Sequence, residues 1–216
     1  MSEPARLSEP TLEQLADRAR SLAIPGERHV LGIVGPPGAG KSTLAAAVCE
    51  ALGPEVAALV PMDGFHRSNE QLVAMGLRDR KGAPETFDAA GYVAMLRRVR
   101  ASLGEPVRVP SFDRDAEATV PDAIEVPAAT PLVVAEGNYL LLDEAPWAAV
   151  RGLLDEAWYL RADPSRVPRL IDRHVAHGRS REAATEWVLR SDEANTERIA
   201  PSEARADLVI DGLPRL

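Results

Sequence analysis

Residues 35 to 42 read Gly35-Pro36-Pro37-Gly38-Ala39-Gly40-Lys41-Ser42, with Thr43 next, which is the spacing G-x-x-x-x-G-K-[ST]. Residue types in that order make a cradle for phosphate. The glycines let successive backbone N–H groups turn toward phosphate oxygens, and a helix opening at Lys41 aims the positive end of its dipole at the same point. Lys41 adds a mobile cation and Ser42 a hydroxyl ligand for magnesium. Of the chain's 25 basic residues only Lys41 and Lys81 are lysine, so a strong drift toward arginine has spared this position. A planar guanidinium does not fit where a compact ammonium must reach the phosphates. The motif therefore points to a bound nucleoside triphosphate, with Gly35 to Thr43 as its phosphate contacts.

Carboxylates and arginines elsewhere suit chemistry on that phosphate. Asp63 lies in Pro61-Met62-Asp63-Gly64-Phe65-His66, directly after an apolar run, and so at a strand's carboxyl end, the edge where open α/β sheets hold ligands. It is a candidate catalytic base, or else a turn aspartate capping its own backbone beside Gly64. His66 is a candidate substrate contact or a packed histidine. Glu136 closes Leu132-Val133-Val134-Ala135, and a carboxylate straight after four apolar residues needs a partner. A magnesium ion shared with Ser42 would be one. Arg166, Arg169 and Arg173 fall on one helical face by spacings of three and four. Like charges there repel unless an anion joins them. That anion is a triphosphate, with Gly178 as the hinge of a closing lid, or the helix simply presents a solvated basic face. Two further segments, Leu77 to Asp88 with Arg78 and Phe87, and Pro110 to Arg114 with Phe112, mix charge with single aromatics. They line a pocket for a small polar molecule or form surface loops, with Asp88 capping the next helix.

The elements that position these residues follow from periodicity. Short apolar runs recur at Val30–Val34, Val56–Val60, Leu132–Ala135, Ala157–Leu160 and Leu208–Ile210, separated by helical stretches. Five such runs predict an α/β fold with a five-stranded parallel sheet covered by helices on both faces. Residues 1–26 form a helical extension, in which Leu12, Leu15, Ala16, Ala19, Leu22 and Ala23 share a face and Ser8 or Thr11 is the cap. Residues 64–131 form an insertion in which a substrate site is expected, and 164–182 the lid. The length, 216 residues, and 45% hydrophobic content suit a single domain with one sizeable core. The net charge of −8 argues against a nucleic-acid partner. One cysteine, Cys49, implies a reducing compartment, and no signal peptide or membrane-spanning run is present. A cytoplasmic protein without a membrane partner is the expectation.

Taken in order and spacing, the phosphate loop, Met62-Asp63-Gly64-Phe65-His66, Phe112-Asp113-Arg114, Glu136-Gly137-Asn138-Tyr139-Leu140 and the arginine helix resemble the phosphoribulokinase, uridine kinase and pantothenate kinase family of P-loop small-molecule kinases. The resemblance covers roughly residues 30 to 211. It implies ATP and Mg2+ as cofactors, a hydroxyl-bearing metabolite as substrate, and Asp63 as base. Glu136 matches the family's acid near magnesium, and Arg166, Arg169 and Arg173 its lid arginines, with Arg166 on the nucleotide and Arg169 and Arg173 in catalysis beside Lys41. Substrate contacts are then expected from Asp63, His66, Arg78, Phe87, Phe112, Arg114, Asn138 and Tyr139, and a homodimer is plausible. Uridine kinases carry Asp-Ser-Phe-Tyr where this chain has Asp63-Gly64-Phe65-His66, so the acceptor stays open among sugar, nucleoside and pantothenate-like molecules. A nucleotide-driven regulatory switch is the rival reading, but no Asn-Lys-x-Asp segment occurs to read guanine. A transport ATPase would carry Leu-Ser-Gly-Gly-Gln, which is also absent.

Overall fold

The computed structural model describes residues 3–163 and 165–214; the expected boundaries at residues 1, 164 and 216 lie outside them. In chain order, strand β1 (Ala5–Ser8) leads to helix α1 (Leu12–Ser21), β2 (His29–Val34), α2 (Lys41–Leu52) and β3 (Ala57–Pro61). The insertion then supplies α3 (Asn69–Ala74), α4 (Ala89–Ala101) and the strands β4 (Val107–Asp113) and β5 (Ala118–Val126). The chain returns through β6 (Leu132–Gly137) and β7 (Glu156–Leu160), crosses α5 (Arg166–Ala176), α6 (Arg181–Trp187) and α7 (Glu193–Ile199), and reaches β8 (Leu208–Asp211).

Six parallel strands form one sheet in the order β1-β8-β7-β2-β6-β3, and β4 and β5 form a separate antiparallel hairpin. All five expected runs are strands of that sheet. The sixth, β1, corrects the five-stranded expectation: residues 5–8 extend the sheet in parallel with β8, so the segment 1–26 is not wholly helical. Alternation along β2 shows why both faces are covered. Val30 and Val34 belong to one apolar cluster with α4 and the insertion, whereas Leu31 and Ile33 belong to the other with α1 and α2. The helix starts are set locally. Thr11 and Ser68 each accept from the N–H three residues on, with Gln14 and Gln71 returning the bond, and Asp88 accepts from Gly91.

Candidate active site

Helix α2 begins immediately after the phosphate loop, and its cap, Gly40, has φ 96°. That left-handed conformation costs glycine nothing and lets the loop fold back over the helix start. Lys41 is only 7% exposed and donates to the Pro36 carbonyl at 3.0 Å. Burial pulls its ammonium down to about 8, against the attraction of Glu136 and Asp63. Ser42 Oγ donates to Glu136 Oε1 at 3.1 Å. This contact exists because β6 pairs with β2, Ile33 opposite Glu136, at the point where the strand order reverses. Burial raises the Glu136 carboxyl, and the nearby Asp63 charge raises it further.

Pro61, the last residue of β3, sits opposite Glu136, so the turn from Met62 to Phe65 delivers Asp63 to the same edge. A Cβ at Gly64 would collide with the Pro110 carbonyl; glycine there lets β4 close over the turn. Arg114, from the end of that hairpin strand, donates to Asp63 Oδ2 at 2.8 Å. His66 stacks on Phe87 at 4.0 Å between ring centroids and lies 4.7 Å from Phe112. Burial holds its imidazole down to about 4.

These groups line one cavity of about 220 Å³, which Pro37, Gly38, Lys41, Ser42, Asp63 and Glu136 share with His66, Phe87, Phe112, Arg114 and Asn138. A second hollow, about 430 Å³, opens on the other side of the loop between Ala39, Arg169 and Leu213. The three arginines of α5 do not converge as their spacing suggests. Arg166 is buried and pairs with Glu193 of α7 at 2.7 Å. Arg169 donates to Ser165 Oγ at 2.6 Å and reaches the Gly38 carbonyl at 3.5 Å. Arg173 alone lines the main cavity, with no acidic partner among the described residues. Two other expected contacts stand back from it. Arg78 meets Glu117 at 3.5 Å on the surface, and the fully buried Tyr139 donates to the Gly82 carbonyl within an aromatic cluster with Phe87 and Trp147. Thr43 is exposed on α2.

Sequence reasoning missed Asp192 and Asn195, which line the cavity although each is more than nine-tenths buried. Asp192 ends a π-helical turn, Val188–Asp192, inserted between α6 and α7, and accepts from His174 Nε2 at 3.2 Å. Arg179 lies 4.0 Å over the Trp187 ring, both on the cavity wall. Lys81, another wall residue, lies in the segment Leu77 to Asp88 expected to line a pocket, and the scarcity of lysine was a further signal for it.

Among the described residues no group of three or more His, Cys, Asp or Glu side chains could hold a metal alone. Magnesium needs no such cage, because it is held by one or two carboxylates together with phosphate oxygens. A buried Glu136 bonded to Ser42 beside the loop fits that donor set. No described helix is long and apolar enough to cross a membrane.

The sequence is 39% identical over 209 residues to the protein YggC of Escherichia coli K12, covering 94% of this chain and 84% of that one. It is 33% identical over 212 residues to a Schizosaccharomyces pombe protein named "Putative uridine kinase C227.14", covering 93% and 90%. A crystal structure from Silicibacter sp. TM1040, described as a "putative fructose transport system kinase", superposes with a TM-score of 0.84 at 34% identity over 93% of this chain and 98% of that one. A family model described as Phosphoribulokinase / Uridine kinase family matches residues 30–216. The loop, the switch-point carboxylates and these matches agree, and the chain belongs to the phosphoribulokinase and uridine kinase family of P-loop kinases.

Proposed function

We propose that this protein transfers the terminal phosphoryl group of ATP to a hydroxyl of a small metabolite. The observation that carries the reading is the convergence of Lys41, Ser42, Glu136 and Asp63 at neighbouring strand ends, on a cavity that continues past the loop into an aromatic and amide-lined recess. A triphosphate laid along the loop amides has its terminal group beside Lys41, and its nucleoside falls toward the hollow between Ala39, Arg169 and Leu213. Glu136 and Ser42 would hold magnesium, which would offset the charge of the phosphates.

Asp63 accepts the hydrogen bond of the acceptor hydroxyl and takes its proton as that oxygen bonds to the γ-phosphorus. The bond from the γ-phosphorus to the β–γ bridging oxygen breaks, and ADP leaves. Arg114 fixes the Asp63 carboxylate in one orientation, and Arg173 meets charge on the transferring group from the lid side. Closure of α5 and α6 about Gly178 would exclude water and limit hydrolysis. The test incubates the protein with ATP, magnesium and a panel of small alcohols and reads products by mass spectrometry. A phosphorylated alcohol is expected; ATP turnover that no alcohol accelerates, with no phosphorylated product, would refute the reading.

A further inference from the structure

In a chain with 23 arginines, both lysines face the same cavity. The phosphate loop accounts for Lys41 and leaves Lys81 unexplained. The Lys81 side chain is 10% exposed. Its Nζ donates to Asn69 Oδ1 at 2.8 Å and Glu117 Oε2 at 3.2 Å, and stands 5.5 Å from the centroid of the Phe112 ring. An ammonium has three donors. Two are taken, and because Lys81 lines the cavity, the third is available to a molecule bound there.

Within the cavity the charge of Lys81 is met by Glu117, whose same oxygen also meets Arg78 at 3.5 Å, a surface residue that does not line the cavity. On the same cavity, burial holds the His66 imidazole down to about 4, and its buried Nδ1 has no hydrogen-bond partner among the described residues. Asn138 and Asn195 add amides without charge. Among the described residues the cavity's cations without acidic partners are Lys41 at the phosphate loop and Arg173 and Arg179 on the lid side, where the phosphoryl group's charge must be met. His177, also on that side, lies 3.7 Å from Asp115. With Arg114 paired to Asp63, the acceptor end offers polar donors and acceptors and aromatic faces but, among the described residues, no cation left over for an anion, which would also face Glu117 and Asp63.

Resting on the phosphoryl-transfer reading, we propose that the acceptor is an uncharged polyhydroxylated ring. One hydroxyl points to Asp63, a second is held by Lys81, and the ring's apolar face lies against Phe112. The cavity, about 220 Å³, is below the roughly 300–1,000 Å³ of clefts for drug-sized ligands, which suits a compact acceptor.

The experiment measures steady-state kinetics with ATP and magnesium for D-ribose, D-glucose and uridine against their phosphate monoesters and D-glycerate, using the wild type, Lys81→Met and Glu117→Gln. In the wild type a neutral compound should exceed its anionic twin in kcat/KM by at least about 100-fold, the scale of setting a charge against an unpaired like charge in a polar site. Lys81→Met should raise the acceptor KM about tenfold or more with much less change in kcat, because the lost donor holds a hydroxyl that does not react. Glu117→Gln should narrow the neutral-to-anionic ratio by about tenfold or more, since it frees the Lys81 charge for an anion. Preferred turnover of an anionic compound, or an unchanged ratio in a Glu117→Gln protein that melts like the wild type, would overturn the neutral-acceptor proposal and leave the kinase reading intact. Absence of product from every compound, with ATP turnover that no alcohol of the wider panel accelerates, would remove both.

Discussion

A buried ammonium whose only hydrogen-bond partner among the described residues is the Pro36 carbonyl is primed for an anion. Folded Lys41 releases its proton near pH 8 instead of 10.5, so between those values the unfolded chain binds more protons. The stability of the nucleotide-free protein should therefore rise over that window, and Lys41→Met should remove the rise in urea titrations at pH 7.5 and 10. Triphosphate binding favours the ammonium and reverses the sign: ATP affinity should fall above pH 8 by up to about tenfold per pH unit. Calorimetry at pH 7 and 9 reads this directly, and equal affinities would contradict it. Asp63→Asn should lower turnover by about 10²-fold or more with ATP affinity nearly unchanged, the loss expected for a general base; weakened ATP binding at full turnover would instead make Asp63 a nucleotide contact. The phosphate loop was legible because its residues are contiguous and their spacing is itself the geometry. Asp192 and Asn195 were not, since nothing local says that a polar residue of a surface-looking helix turns inward. Arg166 was indistinguishable from Arg173 because helical spacing gives a face but not the acid that meets it; Glu193 stands 27 residues away.

Strands reveal themselves when both of their faces are buried. That is why β2, β3, β6, β7 and β8 could be read as apolar runs, and why Ala5-Arg6-Leu7-Ser8, exposed over most of its length, could not. The hairpin escaped for the same reason: β5 is exposed at seven of its first eight positions, and β4 carries Pro110 at a register shift. One buried residue ties this insertion to the sheet. The guanidinium of Arg28, 5% exposed, donates to five carbonyls: Val99 and Ser102 at the end of α4, Pro127 and Ala128 after β5, and Thr130 before β6. It closes a helix C-terminus whose last carbonyls lack intrahelical donors. Arg28→Met should cost about 3 kcal/mol in urea unfolding, because several buried acceptors lose their only charged donor together. A change within 0.5 kcal/mol, the range of roughly neutral surface substitutions, would mean that water replaces the guanidinium without loss.

A molecule with a net charge of −8 repels polyphosphate at long range, so anion capture has to come from a few cations placed close to the phosphates. Loop amides, Lys41 and the exposed arginines of α5 supply that local field. Replacing Arg169 and Arg173 together with Gln should lower turnover more than ATP affinity, because their contacts strengthen as charge shifts during transfer. A folded double variant with wild-type turnover would leave α5 as a solvent-facing helix. Sheet order sets a different constraint. Strand β8 lies between β1 and β7, with Ala5 opposite Leu208, so a segment made early pairs with one made 203 residues later. At 5–20 residues per second the two are separated by roughly 10 to 40 s of synthesis. During that interval the nascent chain holds the slot beside β7 empty and the residues around Arg6 unpaired. A chain stopped before Leu208 should be cut by trypsin after Arg6, and one that includes β8 should resist, so that this edge of the sheet keeps time for the whole fold.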